Sequence, residues 1–203
     1  MHFNRLQHHF DTGEMTPTYV LDIGANKGEW TRQASHIWKS ANFYMIEACE
    51  VHSNHLKVVG FPYDIRILSD SCKSVEFYTN KTDLASTGNS LYREDTHYFS
   101  DDNILIETKE ARSLDSLNLG RFDMIKLDTQ GSEIDILKGA SETLLGVKHI
   151  LMEVSLTQYN IGSPRFYDVI EFINSIGFEV LDIIDNHYLN NELIQVDVLF
   201  KRK

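Results

Sequence analysis

Acidic residues in this chain stand where chemistry would need them. Asp22, Glu47, Asp128 and Glu153 each sit at or near the end of a short apolar run, and Gly24 and Gly28 follow the first of them. Residues without a Cβ let a backbone come close to a bound group. A helix that begins at such a turn offers unpaired N–H groups and the positive end of its dipole. A phosphate or an amino-acid carboxylate suits that position. Glu47 lies about 20 residues beyond the turn, where a carboxylate can accept two hydrogen bonds from a ribose diol. A glycine turn alone serves any strand-to-helix connection. The turn with the distal acid favours a nucleoside-containing cofactor.

The elements that must position these residues follow from periodicity. Tyr19 to Leu21 reads as a strand, and Trp30, Ala34, Ile37 and Trp38 recur at helical spacing after the turn. Phe43 to Ile46 is a second strand ending in Glu47, and His52 to Val59 a short helix closed by Gly60. Phe61 to Leu68 contains a third strand whose end is marked by Ser69 and Asp70. Val75 to Tyr78 is extended, and Ile104 to Lys109 reads as an edge strand. Phe122 to Asp128 is a buried-type strand, Glu133 to Leu145 a helix, and His149 to Val154 a strand with Glu153 near its tip. Phe166 to Ile176 is a helix with Gly177 at its C-terminal cap. Phe178 to Ile184 and Leu193 to Phe200 form a closing hairpin around turn residues 185–191. Residues 1–17 form an N-terminal extension with a short amphipathic helix. Residues 79–103 are the least regular stretch, either a solvated loop or a lid over the site. Alternating strands and helices predict a doubly wound α/β fold with a largely parallel sheet. Ligands bind beyond the carboxyl ends of such strands. Gly24, Glu47, Ser69, Asp70, Asp128 and Glu153 are therefore expected to meet at one crevice.

Length and composition bound the reading. A chain of 203 residues with 42% hydrophobic and 24% charged residues is expected to fold as a single domain, 1–203. Its formal net charge of −11 argues against nucleic acid or an anionic membrane as partner. No run spans a membrane and no signal-peptide core opens the chain, so a cytoplasmic protein is expected. A homo-oligomer stays compatible with the sequence. Cys49 and Cys72 form no CxxC pair, and both read as reduced thiols. His97 and His187 have no visible partner and read as structural or exposed.

The dinucleotide fingerprint Gly-x-Gly-x-x-Gly is absent, because position 26 is Asn. That disfavours a nicotinamide-dependent oxidoreductase. The turn instead reads Asp-x-Gly-x-x-x-Gly, which resembles the first motif of class I S-adenosylmethionine (SAM) methyltransferases. Longer strings resemble the FkbM-type methyltransferase family: VLDIGANKGEWT, IKLDTQGSEIDILKGA, ILMEVS and QVDVLF, together covering the chain from Tyr19 to its end. Two positions depart from that pattern. Gln130 stands where the family often has Glu, and Ala48-Cys49 replaces a proline-containing turn.

The resemblance implies a mostly parallel, seven-stranded Rossmann-like sheet with an antiparallel last strand, and SAM as cofactor. It places Gly24, Ala25, Asn26 and Gly28 around the methionine part of SAM, with Asp22 beneath, acting directly or through water. It places Glu47 on the ribose, Ser69 and Asp70 beside the adenine, and Asp128 close to the transferred methyl. The implied reaction is O-methylation of a small hydroxylated acceptor such as a sugar or secondary metabolite. Asp128 or Glu133 would take or orient the hydroxyl proton, although Glu133 would equally well stabilise the following helix. Glu153 would be a further wall of the pocket or a buried hydrogen-bonding acid. A metal-free site is favoured over Mg²⁺ on Asp128, Glu133 and Glu153. A binding-only protein of the same fold is the competing class.

Overall fold

The computed structural model describes residues 2–203. In chain order come α1 (His2–Asp11), β1 (Tyr19–Ile23), α2 (Glu29–Ile37), β2 (Asn42–Glu47), α3 (Ser53–Val59), β3 (Tyr63–Ile65) and β4 (Ile67–Leu68). There follow β5 (Lys73–Asn80), β6 (Ile104–Arg112), β7 (Met124–Leu127) and α4 (Glu133–Lys138). Last are β8 (His149–Ser155), α5 (Phe166–Ser175), β9 (Phe178–Leu189) and β10 (Glu192–Arg202). Seven strands make one sheet in the order β3-β2-β1-β7-β8-β10-β9. Its pairings from β3 to β8 are parallel, and β10 inserts antiparallel between β8 and β9. This is the doubly wound α/β sheet expected, with the last strand reversed.

Alternation along the central strands sends side chains to two cores. Leu21, Ile23, Ile125, Leu127, Ile150 and Met152 pack with Ile136 and Leu137 of α4 and Val169 and Ile173 of α5. Val20, Met124, Leu151 and Leu199 face Leu6 of α1 and Ala34 and Ile37 of α2. The strands are buried on both faces, which is why they read as near-continuous apolar runs. The N-terminal extension belongs to the second face. Leu6 of α1 is fully buried, and Arg5 and His9 both reach Asp182 on β9 at 2.9 and 2.8 Å.

Four boundaries differ from the sequence expectation. The run 61–68 is not one strand: β3 pairs with β2, whereas β4 leaves to pair with β6 in a second, three-stranded sheet. An apolar run carries no mark of a change of partner. β6 is not an edge, since it lies between β4 and β5. Its consecutive polar residues Glu107 to Glu110 are half-buried or exposed, because this small sheet meets solvent on its faces rather than at an open side. The helix expected from Glu133 to Leu145 stops at α4, and a 3₁₀ turn follows at Thr143–Gly146. Asp115 causes the break: its carboxylate accepts the N–H groups of Glu142 and Thr143 and the hydroxyls of Ser141 and Thr143. Finally, β9 runs on to Leu189, leaving Asn190 and Asn191 as the turn. Both have positive φ, 50° and 65°, as a two-residue hairpin turn of the I′ type requires.

Gly24 and Gly60 separate two reasons for a glycine. Both have positive φ, 76° and 89°. A Cβ on Gly24 would lie 1.8 Å from the Asp128 carbonyl oxygen, whereas one on Gly60 meets nothing within 4 Å. Gly60→Ala is therefore expected to cost about 1 kcal/mol, from backbone strain alone. Gly24→Ala is expected to cost about 3 kcal/mol or more, because the ends of β1 and β7 must part. Urea denaturation of both variants checks the ranking.

Candidate active site

The carboxyl ends of β1, β2, β7 and β8 open on a cavity of about 340 Å³. Gly24, Asn26, Glu47, Asp128 and Glu153 line it, as does Gln130 from the turn after β7. Ile46, Ile67, Leu68, Phe77 and Ile136 supply apolar wall. The irregular stretch closes another side with Ser86, Thr87, Asn89, Ser90 and Leu91. That stretch is tied down at its middle. The Ser90 hydroxyl donates to the carbonyls of Thr129 and Gln130, and the Tyr92 hydroxyl to Asp135 at 2.7 Å.

Glu47 is held by the turns on either side of it. One carboxylate oxygen accepts the Asn26 N–H at 2.7 Å and the other the Cys49 N–H at 2.8 Å. Asn26 has a φ of 49°, so the glycine turn aims this N–H at Glu47 through a left-handed residue. Each oxygen keeps a second lone pair for a ligand. A proline at position 49 would lack the second donor. Cys49 also lines the cavity, and burial, reinforced by Glu47, pushes its thiol up to about 11. It is a neutral wall at physiological pH, not a nucleophile.

Beneath the cavity lies an ion cluster. Lys126 is 8% exposed in its side chain, with Nζ 3.3 Å from Asp22 Oδ1 and 3.3 Å from Asp128 Oδ2. It also donates to the Gly24 carbonyl at 3.3 Å. Burial pulls its pKa down, but Asp128 and Asp22 outweigh that and hold the ammonium above its usual range. Asp22 is fully buried and its other oxygen accepts the Thr31 hydroxyl at 2.6 Å. Asp22 thus braces the start of α2 from below and does not reach the cavity wall. Lys126 was given no role from the sequence. A lone cation inside an otherwise buried strand, in register with Asp22, was the available signal.

A second chain of side chains leaves Asp128. Gln130, at a φ of 58°, donates to Asp128 at 3.0 Å and to Glu153 at 2.7 Å. Gln195 donates to the same oxygen of Glu153 at 2.9 Å. An amide can give both hydrogens to flanking carboxylates, which a Glu at position 130 could not do when ionised. Burial, with Asp128 and Asp197 nearby, raises the Glu153 pKa well above the ordinary carboxyl range.

The other expected site residues stand apart from the cavity. Glu133 points back into its own turn and accepts the N–H groups of Thr129 at 2.7 Å and Gly131 at 3.0 Å. It does not line the cavity. Burial raises its pKa, against the pull of those donors. Gly28 faces Val59, Leu56 and Met45, and Ala25 packs on Met45 and Leu56, so both seat α2 and α3 on β2. Ser69 and Asp70 turn their backbone carbonyls onto Gly139, and Asp70 pairs with Lys73 at 2.8 Å. Ile67 and Leu68, just before them, are the residues on the wall. His187, read as structural or exposed, lies 3.2 Å from Asp197 and 4.0 Å from Glu153.

No helix among the described residues is long and apolar enough to cross a membrane. No curated protein matches the chain. Solved structures do. A methyltransferase FkbM from Methylobacillus flagellatus KT has a TM-score of 0.58 at 15% identity over 94% of this chain. This chain spans only 46% of that one. Magnesium protoporphyrin IX methyltransferase from Synechocystis PCC 6803, solved with bound SAM, has a TM-score of 0.55 at 10% identity over 98% of this chain and 77% of its own. Methanococcus jannaschii fibrillarin, a pre-rRNA processing protein, has a TM-score of 0.55 at 13% identity over 92% of this chain and 67% of its own. At such identities the likeness shows the fold. The sequence model of the methyltransferase FkbM domain matches residues 22–180, which include Asp22, Glu47, Lys126, Asp128 and Glu153. With most of its length matched, the chain belongs to the FkbM methyltransferase family.

Proposed function

We propose that this protein transfers a methyl group from SAM to a hydroxyl of a small acceptor. The observation that carries the reading is one cavity walled by Glu47 and Asp128, with apolar side chains as further wall. Its volume of about 340 Å³ falls in the range of small-ligand pockets. The residues fit the cofactor: Glu47 keeps free lone pairs for a ribose diol, and Ile46, Ile67, Leu68 and Phe77 offer apolar wall for adenine. Asn26 and Gly24 would border the amino-acid end.

When bound, SAM supplies a sulfonium methyl that is already electrophilic. The chain's task is alignment of the acceptor and removal of its proton. Asp128 is placed for both. Its carboxylate is fixed by Lys126 on one side and Gln130 on the other, and its side chain remains 39% exposed. Asp128 would accept the hydroxyl proton as the acceptor oxygen takes the methyl. Glu133 keeps the turn that carries Asp128 in shape. The net charge of −11 supports a small acceptor over a nucleic acid.

Calorimetry with SAM and its demethylated product tests the cofactor, and labelled SAM added to cell extracts tests transfer. Absence of binding by either ligand would remove the proposal. Glu47→Gln is expected to weaken SAM binding about tenfold or more, through lost charge-assisted hydrogen bonds. Asp128→Asn is expected to lower turnover about 100-fold while SAM still binds. Wild-type turnover in that variant would take Asp128 out of proton transfer. Lys126→Met strands the fully buried Asp22 carboxylate and frees the part-exposed Asp128, so a stability loss of about 3 kcal/mol is expected in denaturant titrations.

A further inference from the structure

We infer that Glu153, His187 and Asp197 form a binding site for a first-row divalent cation beside the cavity. Three strands bring these residues together. Glu153 on β8 stands opposite Asp197 on β10, which stands opposite Asp185 on β9. Like charges directly opposite one another destabilise a sheet. Here the side chains of Glu153 and Asp197 are only 11% and 12% exposed, so solvent does little to relieve them. His187 pairs with Gln195 in the ladder, one step along the same face, and leans over the two acids.

The imidazole is the second observation. Its Nε2 is sealed from solvent and makes no well-aligned hydrogen bond, yet it stands at ion-pair distance from Asp197 Oδ1 at 3.2 Å and Glu153 Oε1 at 4.0 Å. One donor atom from each of the three residues lies within 4.8 Å of the others. Donors about 2.1 Å from a common ion stand roughly 3 to 4 Å apart, so a small inward movement completes the set. Glu153 is already oriented for it. Gln130 and Gln195 both hold its Oε2, at 2.7 and 2.9 Å, and Oε1 is the oxygen that faces His187. Carboxylates that ligate metals are held by outer partners in this way.

Two carboxylates and one imidazole suit Mn²⁺, Fe²⁺ or Zn²⁺ better than Mg²⁺ or Ca²⁺, which prefer oxygen throughout. The place suggests the use. Glu153 and Asp128 line both the main cavity and a second one of about 250 Å³ under Phe3 and Trp30, and Asp197 lines the second. A cation there would bind the acceptor oxygen and lower the pKa of its hydroxyl, and Asp128 would receive the proton. That use rests on the methyl-transfer reading; the site itself does not.

The test is calorimetry of the chelator-treated full chain with MnCl₂, ZnCl₂ and MgCl₂, with SAM titrated into the same protein. One saturable site for Mn²⁺ or Zn²⁺, weaker for Mg²⁺, is expected. His187→Ala and Asp197→Asn are each expected to weaken it about tenfold or more. His187→Gln serves as a second variant, and thermal melts establish that each variant is folded. No saturable binding of Mn²⁺ or Zn²⁺ up to about 1 mM, or unchanged affinity in the folded variants, overturns the site. Mn²⁺ bound without SAM keeps the site and removes methyl transfer. SAM bound without Mn²⁺ or Zn²⁺ does the reverse.

Discussion

A buried ammonium between two carboxylates sets the terms for the rest of the molecule. Lys126 is almost wholly buried and must be neutralised where it stands. Asp22 lies opposite it on the neighbouring strand and Asp128 two residues further along its own. This locks the register of β1 against β7, since a slip by one residue would put Asp22 and Lys126 on opposite faces of the sheet. The same ammonium holds the Gly24 carbonyl. The glycine turn, the start of α2 through Thr31, and Asp128 are thus tied to one point.

Glycine in the turn answers first to that packing. The first glycine admits the backbone of Asp128, and the second admits side chains of α3 and β2. The turn's place on the cavity wall follows from the geometry so made, because Asn26 can then direct its N–H at Glu47. The turn after β7 repeats the device with different parts. Gln130 and Gly131 both have positive φ, and Glu133 accepts the N–H groups of Thr129 and Gly131 that this turn would otherwise leave bare. Two left-handed turns, each braced by an acid, therefore frame the cavity.

The second sheet gives the cavity its remaining side. β4 leaves the run that began in β3, pairs with β6, and puts Ile67 and Leu68 against the space above β2. The irregular segment that follows β5 is anchored by Ser90 and Tyr92 to the β7 turn and to α4. It is a wall assembled by long-range contacts. Its composition alone, rich in Ser, Thr, Asn and Asp, reads equally well as a solvated loop.

The linear order of residues determined most of the plan. Apolar runs ending in acids, separated by helical spacings, are local features, and they were enough for the doubly wound sheet and for the meeting of Gly24, Glu47 and Asp128 at its carboxyl edge. Strings such as IKLDTQGSEIDILKGA were enough for the family. Tertiary structure alone decided which way each polar side chain turned. Glu133 looks inward to its own turn, Asp22 downward to Lys126 and Thr31, and Asp70 outward to Lys73. It also decided that His187, 34 residues beyond Glu153, should lean over it. The physical reason is common to all of these. Periodicity reports whether a residue is buried, but a buried charge takes its meaning from its partner, and partners are chosen across strands that lie far apart in the chain.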